Sequence, residues 1–464
     1  MTYINRRGLI TSAVAFGLLN NFSLAAEILQ HSDDAPLSNE RILKLLQERL
    51  DARQSLGMAI GVIDRAGRRV VTAGQLGKSD ARPITAATVF GIASVTKPFV
   101  ALLLADAVLR GEFAYEAPAA RYLPAEVRLP GHNGHEITVL DLATHTSGLP
   151  HELPQELASR ARAQSQLEAR RLMYEFLSSC KLNADPGSTW SYSNLGYALL
   201  AHMLENRTGM SYASLMRARL LNVLGLQNTS PDLTDQMKAV RASPHLASLD
   251  PSPEWHKPWM GAVLQSTCTD LLKFLEACMG RVPTPLSPAF AAMLEVDRPA
   301  PALNARQALA WHVYPYEGRP LIGHSGGGGG FAATIMFDPN ARTGVVLLSN
   351  AELLQQDVAQ HVLREQLPME PIQKEFSLAP AALEAFVGEY RDGSGAITSI
   401  KRQSDQLLLL MPAGHKAPLT PDSPNSFYVR GFAGLTASFE LDAHGRATVL
   451  HWTLSGKTIT AHRQ

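Results

Sequence analysis

Cysteine is scarce in this sequence: three residues in 464, Cys180, Cys268 and Cys278. A small, odd set excludes a disulfide framework and leaves at least one thiol free. Cys268 and Cys278 flank a helical pattern (Leu271, Leu272, Phe274, Leu275), and at about 1.5 Å per residue they stand roughly 15 Å apart, beyond disulfide reach. Net charge is absent too, with 42 basic side chains against 42 acidic ones. Without a clustered Lys/Arg excess there is no footprint for nucleic acid or an anionic membrane. Neither Cys-x-x-Cys nor His-Glu-x-x-His occurs and the 15 histidines are scattered, so neither a metal nor a cofactor is expected. No apolar run reaches the roughly 20 residues of a spanning helix. What is plentiful is core material, 45% hydrophobic against 18% charged residues, enough for two or three domains. The expected partner is a small molecule or a peptide; the oligomeric state is not legible.

The first residues read as an address. Arg6-Arg7 precede an uncharged apolar run over 8–19, and Ser23-Leu-Ala-Ala26 supplies small residues for a signal peptidase. This predicts a signal peptide over residues 1–25 and an exported, periplasmic or extracellular protein, with the paired arginines pointing to the twin-arginine route.

Periodicity then predicts a helix over 38–55, capped by Ser38-Asn39-Glu40, and a hairpin over 58–64 and 69–73. Helical patterns dominate about 94–300. Strands return over 308–314, 320–323, 331–337 and 344–348, and a helix over 352–367 closes the region. Strands at both ends with helices between them predict an α+β fold: one antiparallel sheet flanked by helices and carrying a large helical insertion. The first domain so defined covers 26–370. Over 371–464 the pattern changes to a short helix near 380–386 and alternating segments at 396–401, 406–411, 426–429, 437–441, 448–454 and 458–462. Their spacing predicts a small all-β barrel or sandwich.

Three motifs carry chemistry. In Phe90-Gly-Ile-Ala-Ser-Val-Thr-Lys-Pro98, proline belongs in a first helical turn, so Ser94 stands at a helix start and Lys97 one turn on. The spacing brings an amine within reach of the hydroxyl proton. In Pro186-Gly-Ser-Thr-Trp-Ser-Tyr-Ser-Asn-Leu-Gly196, Tyr192 and Asn194 can turn the same way into a cleft. A nearby ammonium would lower the phenol's pKa, and the amide could hold a substrate amide. In Leu321-Ile-Gly-His-Ser-Gly-Gly-Gly-Gly-Gly-Phe331, five glycines leave backbone that a substrate can approach or pair with. Singly these are a capped helix, an N-capping turn and a hairpin turn. Gly323-His-Ser-Gly-Gly327 also satisfies the nucleophile elbow Gly-x-Ser-x-Gly, which would make Ser325 the nucleophile. That elbow must enter a helix, and a glycine run followed by β-formers will not start one.

Together and in this order the motifs resemble the serine β-lactamase and D,D-peptidase superfamily, in its class C-like branch. Ser94-Val-Thr-Lys97, Tyr192-Ser-Asn194 and His324-Ser-Gly326 stand for its three motifs. Leu142-Ala-Thr-His-Thr-Ser-Gly-Leu-Pro150, Asn194-Leu-Gly-Tyr-Ala-Leu-Leu200 and Leu224-Gly-Leu226 extend the likeness, which covers roughly 38–367; the terminal region is similar to appended lipocalin-like domains. The resemblance implies a penicillin-binding serine hydrolase: Ser94 the nucleophile, Lys97 and Tyr192 sharing acid and base roles, and the amides of Ser94 and Gly327 forming the oxyanion hole. Asn194, His324, Ser325, Gly326 and Gly327 would position substrate, with Glu152 near a substrate-contacting position. The leading substrate is a cell-wall-type D-peptide, as for D-Ala-D-Ala carboxypeptidases and endopeptidases. The alternatives are a class C-like β-lactamase, a D-aminopeptidase or short-chain esterase, and a non-catalytic penicillin-binding sensor. Most β-lactamases of this class carry Lys where His324 stands.

Overall fold

The computed structural model describes residues 35–252, 263–372, 376–403, 406–410, 416–429, 435–454 and 457–464. The expected signal peptide, residues 1–25, lies outside them.

Helix Asn39–Asp51 starts at Ser38, whose Oγ accepts the Arg41 amide, and buries Ile42 and Leu46. Strands β1 (Gly57–Asp64), β2 (Gly67–Gly77) and β3 (Asp80–Pro83) follow, then the short β4 (Val89–Gly91), the small hairpin β5 (Gly131–His132) and β6 (His135–Glu136), and β7 (Gln265–Thr267), which pairs with β4. The late strands are β8 (Arg298–Ala300), β9 (Ala305–Gln307), β10 (His312–Tyr314), β11 (Leu321–Gly328), β12 (Phe331–Asp338) and β13 (Thr343–Ser349). Early and late strands join where β1 pairs antiparallel with β13, from Met58↔Ser349 to Ile63↔Gly344. The result is a nine-stranded antiparallel sheet in the order β3-β2-β1-β13-β12-β11-β10-β9-β8. The α+β expectation stands, with the helical insertion between β4 and β8. Of the extended run expected over 308–314 only β10 (His312–Tyr314) is strand; the rest is the turn after β9, in which Ala310 has φ 61°.

Both faces of the sheet are covered, which is why β12 and β13 read as unbroken apolar runs. Ile335, Phe337, Val346 and Leu348 join the core shared with helices Thr96–Leu109, Asn194–Thr208 and Cys268–Cys278. Met336, Val345 and Leu347 face the other way, onto helices Asn39–Asp51 and Gln356–Leu363. Helices Thr96–Leu109 and Asn194–Thr208 lie at the domain centre and are buried almost all round, so neither shows a polar stripe. The three cysteines are free, as helical spacing required for Cys268 and Cys278.

The C-terminal region is a closed eight-stranded barrel running from Gly388 to Arg463. Its sequence showed six strands; Gly388–Asp392 and Lys416–Pro421 were missed, the first lying beside a turn and the second carrying two prolines. Phe386, Tyr390, Phe427 and Phe439 pack ring against ring in its interior, three of the four pairs edge to face, and the 3-10 turn Pro380–Phe386 contributes Leu383 and Phe386 to the same core.

Candidate active site

Two helix starts converge. The 3-10 turn Ala93–Val95 runs straight into helix Thr96–Leu109, with Pro98 in the first turn, where a missing N–H costs nothing. Ala93 holds φ 43°, a left-handed conformation that turns the partly exposed Ser94 out of the core. Lys97, only 4% exposed, donates to Ser94 Oγ at 2.9 Å and to Asn194 Oδ1 at 2.6 Å. Asn194 is the first residue of the second helix, which Ser193 caps by accepting the Gly196 amide at 3.0 Å. The other end of its amide donates to Glu152 Oε1 at 2.9 Å. A continuous chain therefore runs Ser94, Lys97, Asn194, Glu152. The expectation for Asn194 was a free amide holding substrate; here both of its ends are engaged.

Tyr192 stands just before this helix, on a loop fixed by His145. The His145 carbonyl accepts the Ser191 amide at 2.7 Å, its Nδ1 accepts the Ser193 amide at 3.0 Å, and its ring stacks on Tyr192 with centroids 4.2 Å apart. Lys97 Nζ lies 4.8 Å from the Tyr192 ring centroid. A lowered phenol pKa was expected from that ammonium; instead burial pushes it above the ordinary value, opposed by a hydrogen bond with Ser94. The cation meets the ring's face while the desolvation acts on the phenolate itself.

The third motif is β11. A Cβ on Gly326 would come within 2.5 Å of the Ser94 amide nitrogen and 2.8 Å of the Ile92 carbonyl oxygen. Only glycine lets the strand lie this close to the turn that carries Ser94. Gly327 faces the other way, where a Cβ would meet Leu354 at 3.4 Å. Gly329 and Gly330, at φ 64° and 82°, make the turn into β12. Close approach and turn thus account for the glycine run. β10 pairs with β11 only as far as His312↔Gly323, so among the described residues the backbone beyond it has no strand partner on that side.

The expectation for His324 changes, and the rejection of the elbow stands. His324, expected to face the substrate, is 1% exposed and does not line the cleft; its Nδ1 donates to its own strand's Ser325 carbonyl at 2.9 Å, and its ring stacks on His312 with centroids 4.8 Å apart. Side chains alternate along a strand, and on this face the next residue is Gly326, packed on the Ser94 turn, so the ring is enclosed there. The nucleophile elbow at Ser325 is excluded, because β11 turns into a strand, and Ser325 Oγ donates to Gln356 Oε1 at 2.9 Å and lies 3.0 Å from Thr334 Oγ1.

His145 and His312 were not singled out by sequence reasoning, although His145 sits inside the quoted Thr-His-Thr-Ser-Gly stretch. With His324 they form a buried imidazole cluster beside Lys97 and Tyr192, and all three Nε2 atoms lack hydrogen-bond partners. Burial, then the neighbouring cationic groups, holds His145 and His324 well below the ordinary imidazole value, and burial followed by Lys97 takes His312 down to about 4. The cluster is neutral at ordinary pH. Ser94, Lys97, Tyr192 and Asn194 open onto a cleft of about 1040 Å³, where Ser325, Gly326 and Gly327 form part of the wall. Glu152, Arg162 and Glu352 supply its other charges. Among the described residues no group of three or more His, Cys, Asp or Glu side chains could hold a metal ion, and no helix is long and apolar enough to cross a membrane.

A family model described as Beta-lactamase matches residues 42–367. The D-alanyl-D-alanine-carboxypeptidase/endopeptidase AmpH of Escherichia coli (strain K12) is 31% identical over 308 residues, 63% of this chain and 78% of that protein. A beta-lactamase of Pseudomonas fluorescens is 26% identical over 338 residues, 63% of this chain and 88% of that protein. In fold, the octameric penicillin-binding protein homologue from Pyrococcus abyssi aligns with a TM-score of 0.63 at 21% identity, covering 92% of this chain and 100% of that one.

Proposed function

Because this chain belongs to the beta-lactamase family of serine hydrolases, which act through an acyl-enzyme, we propose that it cleaves cell-wall-type D-peptides in the manner of a D-alanyl-D-alanine carboxypeptidase or endopeptidase. The observation that carries this reading is the Ser94–Lys97–Asn194 hydrogen-bond chain lying against Gly326 at the floor of an open cleft. Ser94 Oγ attacks the carbonyl, with Lys97 and Tyr192 sharing the acid and base roles that move its proton to the leaving amine. The buried phenol of Tyr192, held protonated, is placed to give a proton to the departing amine. The amides of Ser94 and Gly327 would hold the oxyanion, and water then frees the acyl group from Ser94 Oγ. The unpaired edge of β11 supports an extended peptide lying alongside it.

The neutral His324 favours a second reading. Lacking a cation from its third motif in the cleft, the enzyme would hold a substrate carboxylate weakly, and with Glu152 beside Asn194 it would prefer neutral or amine-bearing substrates, as a D-aminopeptidase or short-chain esterase does. This argues against a dedicated β-lactamase. Export through the expected leader would bring the enzyme to the cell wall, and the barrel is proposed as a separate domain from about residue 371 that filters substrates.

One substrate panel tests the proposal: nitrocefin, D-Ala-D-Ala peptides, D-amino acid amides and p-nitrophenyl esters. Turnover of D-Ala-D-Ala peptides above all others is expected. Turnover of esters or amides alone would transfer the conclusion to the second reading, and a penicillin adduct persisting for hours without turnover would make the protein a sensor.

A further inference from the structure

At the end of the sheet away from Ser94, three chain reversals meet. β1 and β13 are neighbours (Ile63↔Gly344), so the β1–β2 turn and the β12–β13 turn lie side by side. Helix Cys268–Cys278 ends against them, with Met279 Cε and Leu275 Cδ1 at 3.2 and 3.5 Å from where a Gly344 Cβ would stand. Each reversal carries an arginine: Arg65, Arg342 and Arg281. Together with Asn340 and Ala341 they line a concavity of about 460 Å³. From Ala332, which pairs with Gly327 in the catalytic strand, β12 runs to Asp338 beside this concavity. At about 3.3 Å per residue that is roughly 20 Å from the nucleophile's strand.

The arginines are held in place by backbone. Arg281 donates Nη1 to the Arg342 carbonyl at 2.9 Å and Nη2 to the Asp64 carbonyl at 2.8 Å, tying the two turns together. Arg342 donates Nη2 to the Gly280 carbonyl at 3.1 Å and itself holds φ 54°, a left-handed conformation costly for a side-chain residue. Arg65 makes neither hydrogen bond nor ion pair among the described residues. The neighbouring acids are engaged elsewhere: Asp64 with Arg69 at 3.2 Å, Glu276 with Arg68 at 3.4 Å, and Asp338 with Arg364 at 2.7 Å and Arg319 at 3.2 Å. Three arginines therefore line one hollow with, among the described residues, no carboxylate within ion-pair distance of any of them, in a chain of zero net charge. Capping of backbone carbonyls explains Arg281 and Arg342, but it leaves Arg65 and the remaining N–H donors unused.

The geometry points to an oxyanion site of the phosphate type at Arg65, Arg281 and Arg342, separate from the catalytic cleft. A carboxylate saturates one guanidinium in a bidentate pair, whereas a phosphoryl group presents three or more oxygens and up to two charges to donors arriving from three turns. The phosphoryl group can belong to a soluble phosphate ester or to a lipid headgroup.

Calorimetric titration of the full-length protein with pyrophosphate at low salt, and co-sedimentation with phosphatidylglycerol-containing against phosphatidylcholine vesicles, separate the two sources. Arg65→Gln is the chosen variant, because the Arg65 side chain makes no hydrogen bond or ion pair among the described residues; it should weaken whichever interaction occurs by about tenfold or more. p-Nitrophenyl ester or nitrocefin turnover should stay unchanged in the same variant. Binding of pyrophosphate alone assigns a soluble ligand, and binding of anionic vesicles alone assigns a headgroup. Absence of both at millimolar pyrophosphate and excess lipid, or equal binding by wild type and Arg65→Gln, overturns the site.

Discussion

The nine-stranded sheet and the eight-stranded barrel are built from the same antiparallel pairing, yet they use their interiors in opposite ways. The sheet stays open: β10 releases β11 at Gly323, and the backbone beyond it lines a cleft with Ser94. The barrel pairs its last strand with its first and packs Phe386, Phe427, Phe439 and Tyr390 inside. Closure removes edges and fills the centre with apolar contact, which suits stability. An open sheet leaves backbone and space for a substrate, at the cost of burying Lys97 and three histidines with unsatisfied ring nitrogens.

The sharpest way to break this contrast is at Ser94, the proposed nucleophile. Ser94→Ala should abolish covalent labelling by penicillin or a fluorophosphonate and lower turnover on the order of 10⁴-fold or more, while Ser325→Ala keeps its label. A reversed outcome by labelling and mass spectrometry would place the chemistry on the wrong strand. In the barrel the corresponding blow falls on stability alone. Phe427→Ala removes a fully buried ring and should cost the barrel about 3–5 kcal/mol by denaturant unfolding, with kcat on an ester unchanged. Truncation after Met369 should likewise leave a soluble, folded hydrolase; insoluble protein would mean that the two regions fold as one.

Two glycines refine the picture within β11. Gly326→Ala drives a methyl group into the Ser94 amide and the Ile92 carbonyl, both backbone atoms that cannot move aside, and should reduce kcat/KM by about 10²–10³-fold. Gly327→Ala meets only Leu354 at 3.4 Å and should cost far less. Equal losses would show that β11 does not need to touch the Ser94 turn.

The smallest effect is a pH dependence confined to the open sheet. His312 is neutral in the fold down to about pH 4, while an unfolded imidazole takes its proton near ~6.5. Stability is therefore full above that range and falls as pH drops from about 6.5 to 4, by about 3 kcal/mol from His312 alone. His145 and His324, also depressed, act in the same direction. Melting temperatures from pH 7 to 4 should show this acid loss in the truncated hydrolase and a shallower loss in its His312→Asn variant; the same slope in both would remove His312 from the account.

Local chemistry made much of this protein legible. Ser94 and Lys97 one turn apart, Ser193 capping the helix that carries Asn194, the alternation in six barrel strands, and the return of strands after a helical stretch all follow from spacing and backbone preference, which act over a few residues. What needed the tertiary structure was whatever depends on enclosure. His324 reads as a substrate-facing residue until His312, twelve positions earlier in the chain, is seen stacked on it. Tyr192 reads as a phenol activated by an ammonium until its burial is seen to outweigh that charge. Asn194 reads as a free amide until Lys97 and Glu152 are found at its two ends. Sequence spacing determines which side chains share a helix face or a strand face, because that geometry is periodic. Desolvation and the meeting of distant turns, as at Arg65, Arg281 and Arg342, depend on which elements pack together, and only the folded chain decides them.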